Sequence, residues 1–168
     1  MAYSSKYYDP QKAHEYYEKH KKLKGRRSTK GFTEQQKALW KYGKDQIKQE
    51  EKTEKSQASA DVKANKKAIT DEANAKRKEF TNACKEKVDA LREKLKSMPK
   101  KQRMAMKERI SEQISQIKEQ FASAKANVSA EASADKKRES ENLKVTKSEI
   151  STKFDKELDK LYESVKNG

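Results

Sequence analysis

Apolar residues recur every eleven positions along most of this chain. From Ile110 the spacing reaches, in order, Phe121, Ala132, Leu143, Phe154 and Val165, and two similar rows begin at Val62 and Ile69. Eleven residues make three turns of α-helix at about 3.67 residues per turn, so each row runs nearly straight along one side of a helix. The spacing therefore predicts long helices that pair with other helices through a narrow apolar stripe.

The composition is compatible with paired helices and not with an ordinary globular core. Of the 168 residues, 41% are charged, the net charge is +15, and large apolar side chains are few. Such a balance is also typical of disorder, but glycine and proline are scarce and the apolar residues are periodic. We therefore expect an all-α protein, and a chain that folds only on a partner is the alternative.

A single proline divides the long helical part of the sequence into two arms. Pro99 lacks a backbone donor and disfavours a helical conformation of Met98, so one helix ends here and another begins. We expect arms at 33–97 and 99–166, folded back on each other as an antiparallel two-helix hairpin that turns at Met98-Pro99. An open rod and a swapped pairing between two chains are the alternatives.

In this hairpin, residues equidistant from the Met98-Pro99 bond should face one another. The expected pairs join apolar or small residues: Leu91 with Met106, Phe80 with Ile117, Ile69 with Val128, Ile47 with Ile150, Gly43 with Phe154, and Leu39 with Leu158. The predicted hairpin seam accordingly includes Ile69, Phe80, Leu91, Met106, Ile117, Val128, Ile150 and Phe154. The stretches 48–60 and 129–142 lack large apolar residues, which predicts weak packing in the middle of both arms.

Residues 1–32 form a basic, tyrosine-rich segment with a short helix of its own. Asp9 is a suitable N-cap and Pro10 a suitable first helical residue, while Thr33 and Gln36 form a capping box that starts the next helix. We predict that this segment docks onto a partner protein, because aromatic side chains dominate protein interfaces. The candidate docking residues are Tyr7, Tyr8, Tyr16, Tyr17, His20 and Leu23.

Seven positively charged residues and no acidic residue lie in the second half of this segment. They are Lys19, Lys21, Lys22, Lys24, Arg26, Arg27 and Lys30. Such a run suits contact with nucleic-acid phosphates or with an acidic protein surface. Because no DNA-binding motif is present, any contact with DNA is expected to be nonspecific.

The sequence contains no pattern of a catalytic, cofactor or metal site. His14 and His20 fall on different faces of a helix, Cys84 is the only cysteine, and no glycine-rich phosphate loop is present. No apolar run is long enough to span a membrane, and the N-terminus lacks a signal-peptide core. We expect no enzymatic activity, no cofactor, no metal and no membrane contact, in a protein that is made in a cytoplasm and not secreted by a signal peptide.

The block from Tyr7 to Arg26, YYDPQKAHEYYEKHKKLKGR, resembles the opening of small basic helical proteins encoded among the structural genes of tailed bacteriophages of Gram-positive hosts. The resemblance implies a virion or head-morphogenesis protein without enzymatic activity, made in the host cytoplasm. We expect a structural protein of a phage particle that docks onto other virion proteins through residues 1–32 and either projects its hairpin or lines the particle with it. A homo-oligomer is compatible with this expectation. The alternative is a nonspecific nucleic-acid-binding accessory protein that uses the same basic run.

Overall fold

The computed structural model describes residues 10–14 and 27–168 in full and the backbone of residues 15–19. Helix α1 covers Pro10–Lys19, α2 covers Glu34–Lys96 and α3 covers Lys100–Asn167, with no strand in the part of the chain described. Helices α2 and α3 form a hairpin. The predicted all-α hairpin with its turn at Met98-Pro99 is therefore confirmed.

Local chemistry explains where the long helices begin and end. At the start of α2 the backbone N–H of Thr33 donates to Oε1 of Gln36 at 2.8 Å, and the N–H of Gln36 donates to Oγ1 of Thr33 at 3.1 Å. This reciprocal pair is the predicted capping box. At the turn the N–H of Met98 donates to the carbonyl of Leu95 at 3.2 Å, a tightened final turn, and the carbonyl of Pro99 accepts the first bond of α3.

Burial along both long helices repeats every eleven residues. On α3 the rows that begin at Met106, Ile110 and Ile114 are buried or half-buried at every eleventh position to the end of the helix. On α2 the rows that begin at Val62 and Ile69 behave in the same way. The packed stripe therefore keeps the period of three helical turns that the apolar residues predict. Among the described residues, no helix has the length and apolar character needed to cross a membrane.

The chain divides into two compact units, and α2 and α3 contribute to both. The terminal unit comprises Met1–Asp61 with Asn142–Gly168, and the turn unit comprises Val62–Glu141. Ala13 of α1 is buried in the same core as residues of α2 and α3. The predicted boundary between residues 32 and 33 stays a prediction.

The terminal unit has a buried apolar core, called here the terminal core. Its residues are Ala13, Ala38, Leu39, Trp40, Ile47, Phe154, Leu158, Leu161 and Val165. Phe32, Tyr42, Ile150 and Tyr162 pack against it. Both members of the predicted pairs Leu39 with Leu158 and Ile47 with Ile150 lie in or on this core, and their direct pairing stays a prediction.

The turn unit is packed more loosely. Only Ala73, Val88 and Ile110 are buried there. Ile69 and Val128 are among the residues that line one cavity, and their direct pairing stays a prediction. The ring of Phe80 lies 6.2 Å from the ring of Phe121, one helical turn beyond the predicted partner. This contact shows that the apolar rows of the two helices interlock, because each large side chain can reach neighbours above and below its own level.

Polar contacts cross between the two helices of the turn unit. The guanidinium of Arg77 donates to Oγ of Ser129 at 2.7 Å, and the ammonium of Lys66 donates to Oγ of Ser140. The amide of Asn65 donates to Oε2 of Glu139 at 3.2 Å. Sequence reasoning predicted weak packing along 129–142, and the structure places these hydrogen bonds in that stretch.

Candidate docking site

The predicted docking segment joins the hairpin through residues 27–33, and a short turn shapes this connection. The N–H of Phe32 donates to the carbonyl of Thr29 at 3.0 Å, and Gly31 in this turn has a φ of 87°. A residue with a β-carbon rarely adopts that conformation, so glycine is the residue that allows the turn. The chain thereby changes direction and enters α2 at the capping box.

Arg27 fastens the start of this connection to α3. Its Nε donates to Oδ1 of Asp159 at 2.8 Å, and its Nη2 donates to Oδ1 of Asp155 at 3.1 Å and to the carbonyl of Asp155 at 3.2 Å. The arginine side chain is only 12% exposed, while the two carboxylates are half-exposed. A planar guanidinium suits such a fork between two carboxylates, because its donors are fixed in one plane.

Electrostatics favours the charged form of Arg27 in this position. Burial acts to lower the pKa of Arg27, but the hydrogen bonds and negative charges of Asp159 and Asp155 outweigh it, so the pKa is raised. In this structure the acidic groups that hold Arg27 belong to its own chain. Its predicted contact with phosphate or with an acidic partner stays a prediction.

Aromatic rings and backbone acceptors complete the attachment. The hydroxyl of Tyr162 donates to the carbonyl of Ser28 at 2.8 Å, and its ring lies 5.7 Å from that of Phe32 and 5.4 Å from that of Trp40. The side-chain amide of Gln36 donates to the carbonyl of Val165 at 3.0 Å, near the end of α3. These contacts hold the beginning of α2 against the last turns of α3.

A lysine beside these rings, Lys44, has a lowered pKa. The ammonium of Lys44 lies 5.9 Å from the centre of the Trp40 ring. Burial lowers the pKa of Lys44, and the neighbouring charges of Lys41, Lys48 and Arg27 lower it further, against the opposing effect of Asp45. The surroundings of Lys44 therefore favour its charged form less than water does.

Helix α1 is held by the terminal core. Ala13 is fully buried there, so α1 packs against the rest of the chain at this residue. Lys30 is exposed, and its backbone N–H donates to Oγ of Ser28 at 3.2 Å.

The remaining predicted contacts lie outside the residues or side chains that the structure describes. They are Tyr7, Tyr8, Tyr16, Tyr17, Lys19, His20, Lys21, Lys22, Leu23, Lys24 and Arg26. Their roles therefore stay predictions. Sequence reasoning missed Asp155, Asp159 and Tyr162, although the acidic pair is spaced four residues apart beside the apolar row of Phe154.

Within the described ranges, no three His, Cys, Asp or Glu residues lie close enough together to hold a metal ion. Cys84 is a half-buried free thiol on the seam. Comparison of the chain with protein-family models, with curated proteins and with solved structures gives no match.

Proposed function

We propose that this chain is a structural protein that assembles into a larger protein particle and docks through its N-terminal segment. One observation carries the proposal: the terminal core includes Ala13, so it fixes helix α1 at one place on the hairpin. A fixed segment loses less conformational freedom when it binds, which favours docking. The resemblance of residues 7–26 to structural proteins of tailed bacteriophages makes a phage particle the proposed setting.

In this proposal, some residues of the N-terminal segment attach it to the hairpin and others contact the partner. Ala13 and Arg27 hold it to the hairpin through apolar burial and through the carboxylates of α3. Tyr7 and Tyr8 precede α1 in sequence and supply aromatic side chains, which form strong anchors in protein interfaces. The positive charge of the segment assists encounter with an acidic partner rather than setting the final affinity.

The test compares two double substitutions in the full chain. Tyr7→Ala with Tyr8→Ala removes aromatic anchors, and Lys22→Gln with Lys24→Gln removes charge. Arg27, Tyr16 and Tyr17 stay native, because Arg27 holds the fold and the two tyrosines lie three and four residues after buried Ala13. We expect the tyrosine variant to disappear from purified particles and the lysine variant to be retained, as measured by the amount of chain in the particles.

Two results would contradict the proposal. One is absence of the wild-type chain from particles. The other is retention of the tyrosine variant together with binding of duplex DNA by the wild type that depends on Lys22 and Lys24 and persists at physiological salt. The second result would favour the nucleic-acid-binding alternative, since phosphate contacts are governed by positive charge.

A further inference from the structure

The hydrogen bonds between the helices of the turn unit repeat with the period of the seam. Arg77 on α2 contacts Ser129 on α3, and moving eleven residues back along α2 and forward along α3 gives the contact of Lys66 with Ser140. With the roles of the two helices exchanged, the same residue spacing relates Lys136 to Thr70 and Lys125 to Thr81. Each repeat therefore combines two basic residues with two hydroxyl residues.

The hydroxyls leave these positive charges unneutralised. Oγ1 of Thr70 donates to the carbonyl of Lys66 at 3.0 Å, and Oγ1 of Thr81 donates to the carbonyl of Arg77 at 2.9 Å, so their oxygens remain available as acceptors. Serine and threonine oxygens carry no formal charge. The hydrogen bonds to Ser129 and Ser140 therefore orient the two cations without cancelling their charge.

Further lysines extend this side of the turn unit. Successive residues of α2 are rotated by about 98° around the helix axis. At this rotation Lys63, Lys67 and Lys78 lie beside the row of Lys66 and Arg77, on the side away from Ile69. Lys63, Lys67 and Lys78 are all exposed.

On α3 the same side carries Lys125, Lys136 and the exposed Lys137. No aspartate or glutamate occupies these rows within 62–83 or 121–141. We call the surface formed by these rows of both helices the basic face.

Two cations outside the basic face form ion pairs with carboxylates, whereas Lys66 and Arg77 contact uncharged hydroxyls. Lys76 forms an ion pair with Glu72 at 3.1 Å, and Arg138 forms one with Asp135 at 3.5 Å. Glu72 and Asp135 thus lie on other sides of the helices, while Asp71 and Glu141 border the basic face four residues after Lys67 and Lys137. The basic residues of the face outnumber these two bordering carboxylates, so its net field is positive, and such a field attracts an extended anion.

We propose that the basic face binds the phosphate backbone of double-stranded nucleic acid without sequence preference. An eleven-residue repeat keeps the face straight, and the rise of an α-helix gives it a length of about 27 Å from Lys63 to Thr81, roughly three quarters of one turn of a duplex. Lysine, arginine and hydroxyl side chains are the groups that contact phosphates. This inference does not depend on the proposed docking of the N-terminal segment.

The chemistry of the basic face argues against two other polyanions. Its rows contain no aromatic residue on which the bases of a single strand could stack. They also contain no large apolar residue that could insert between lipids, as surface-bound helices require. A straight duplex, read only through its charge and shape, therefore fits the face best.

The experiment measures binding of a mixed-sequence 30-base-pair DNA duplex by the full chain over a series of salt concentrations. The variant Lys63→Gln/Lys67→Gln/Lys137→Gln removes three exposed charges from the basic face. The matched control Lys76→Gln/Lys94→Gln/Arg138→Gln removes three exposed charges elsewhere in the turn unit. We expect the face variant to lose roughly tenfold or more in affinity at low salt and about 0.9 in log–log salt slope for each lost phosphate contact. The control should change affinity by less than about twofold, as expected if those three residues contact no phosphate.

A measurement on the wild type makes the test independent of how the variants fold. Lysine acetylation in the presence of the duplex should protect Lys63, Lys67 and Lys137 and leave Lys76 and Lys94 reactive. Equal loss of affinity in both variants, or protection confined to Lys19–Lys30, would overturn the proposal. It would also be overturned if the chain bound vesicles of phosphatidylserine and phosphatidylcholine, or single-stranded DNA, more tightly than the duplex.

Discussion

The two units of this protein are built from the same eleven-residue repeat but use it differently. In the terminal unit the repeat carries Phe154, Leu158 and Leu161, which are almost completely buried. In the turn unit the equivalent rows contain half-exposed phenylalanines, together with the basic and hydroxyl residues of the hydrogen-bonded repeats. One period can thus produce either an apolar core or a polar seam, depending on which residues occupy it. We use polar seam for the hydrogen bonds of Arg77 with Ser129 and of Lys66 with Ser140.

This difference separates two physical tasks. Apolar burial is not directional and contributes most of the free energy of folding, so the terminal core should dominate stability. A hydrogen bond between Arg77 and Ser129 contributes little net energy but requires one alignment of the helices. The polar seam of the turn unit should therefore specify register more than it stabilises the fold.

The largest expected effect contrasts one phenylalanine in each unit. Phe154 is 2% exposed, so Phe154→Ala should lower the free energy of unfolding by about 3–5 kcal/mol. Phe121 is half-buried, and Phe121→Ala should cost only about 1–2 kcal/mol. Urea unfolding followed by circular dichroism measures both. Equal losses would show that the two units are packed to the same degree and would break the comparison.

An intermediate effect is expected at the attachment of the N-terminal segment. Arg27→Gln removes the fork that joins residue 27 to Asp155 and Asp159, and it should cost about 1 kcal/mol, since solvent screens these half-exposed carboxylates. Arg27→Lys keeps the charge but loses the planar fork, so it should recover only part of the stability. Full recovery by lysine, measured in the same urea titration, would show that charge alone holds the connection.

The smallest effect concerns the polar seam. Ser140→Ala removes the acceptor of Lys66, and the lost hydrogen bond should be worth about 0.5 kcal/mol. Ser133→Ala is the matched control, because Ser133 is an exposed serine on the same helix and both substitutions bring the same gain in helix propensity. The difference in unfolding free energy between the two variants isolates the bond. A more stable Ser140→Ala than Ser133→Ala would mean that the seam is not a stabilising contact at all.

The hairpin could be predicted because its determinants are local or periodic. Pro99 fixes the turn, the capping box fixes the start of α2, and the apolar rows identify the faces that meet. The individual facing pairs, such as Ile69 with Val128 and Leu39 with Leu158, stay predictions. The contact of Phe80 with Phe121 was missed because the prediction paired residues at equal distances from the turn. This assumes that side chains extend at right angles to the helix axis, whereas helical side chains lean toward the N-terminus of their own helix.

The role of Arg27 could not be predicted from its surroundings in the sequence. It stands in a run of positive residues, and its carboxylate partners lie near the other end of the chain. The polar seam was missed for a different reason. Apolar periodicity identifies Lys66 and Arg77 only as polar residues, and their repeat becomes meaningful once the opposing helix supplies Ser140 and Ser129.

The eleven-residue burial pattern also limits how the length of this protein can evolve. Removing eleven residues from α2 alone would shift the remaining contacts by three helical turns against α3. Removing the facing eleven from α3 as well would restore every row to an equivalent partner. Insertions and deletions are therefore expected to be tolerated as matched pairs, each changing both helices by about 16 Å, so the repeat acts as a ruler with a fixed unit.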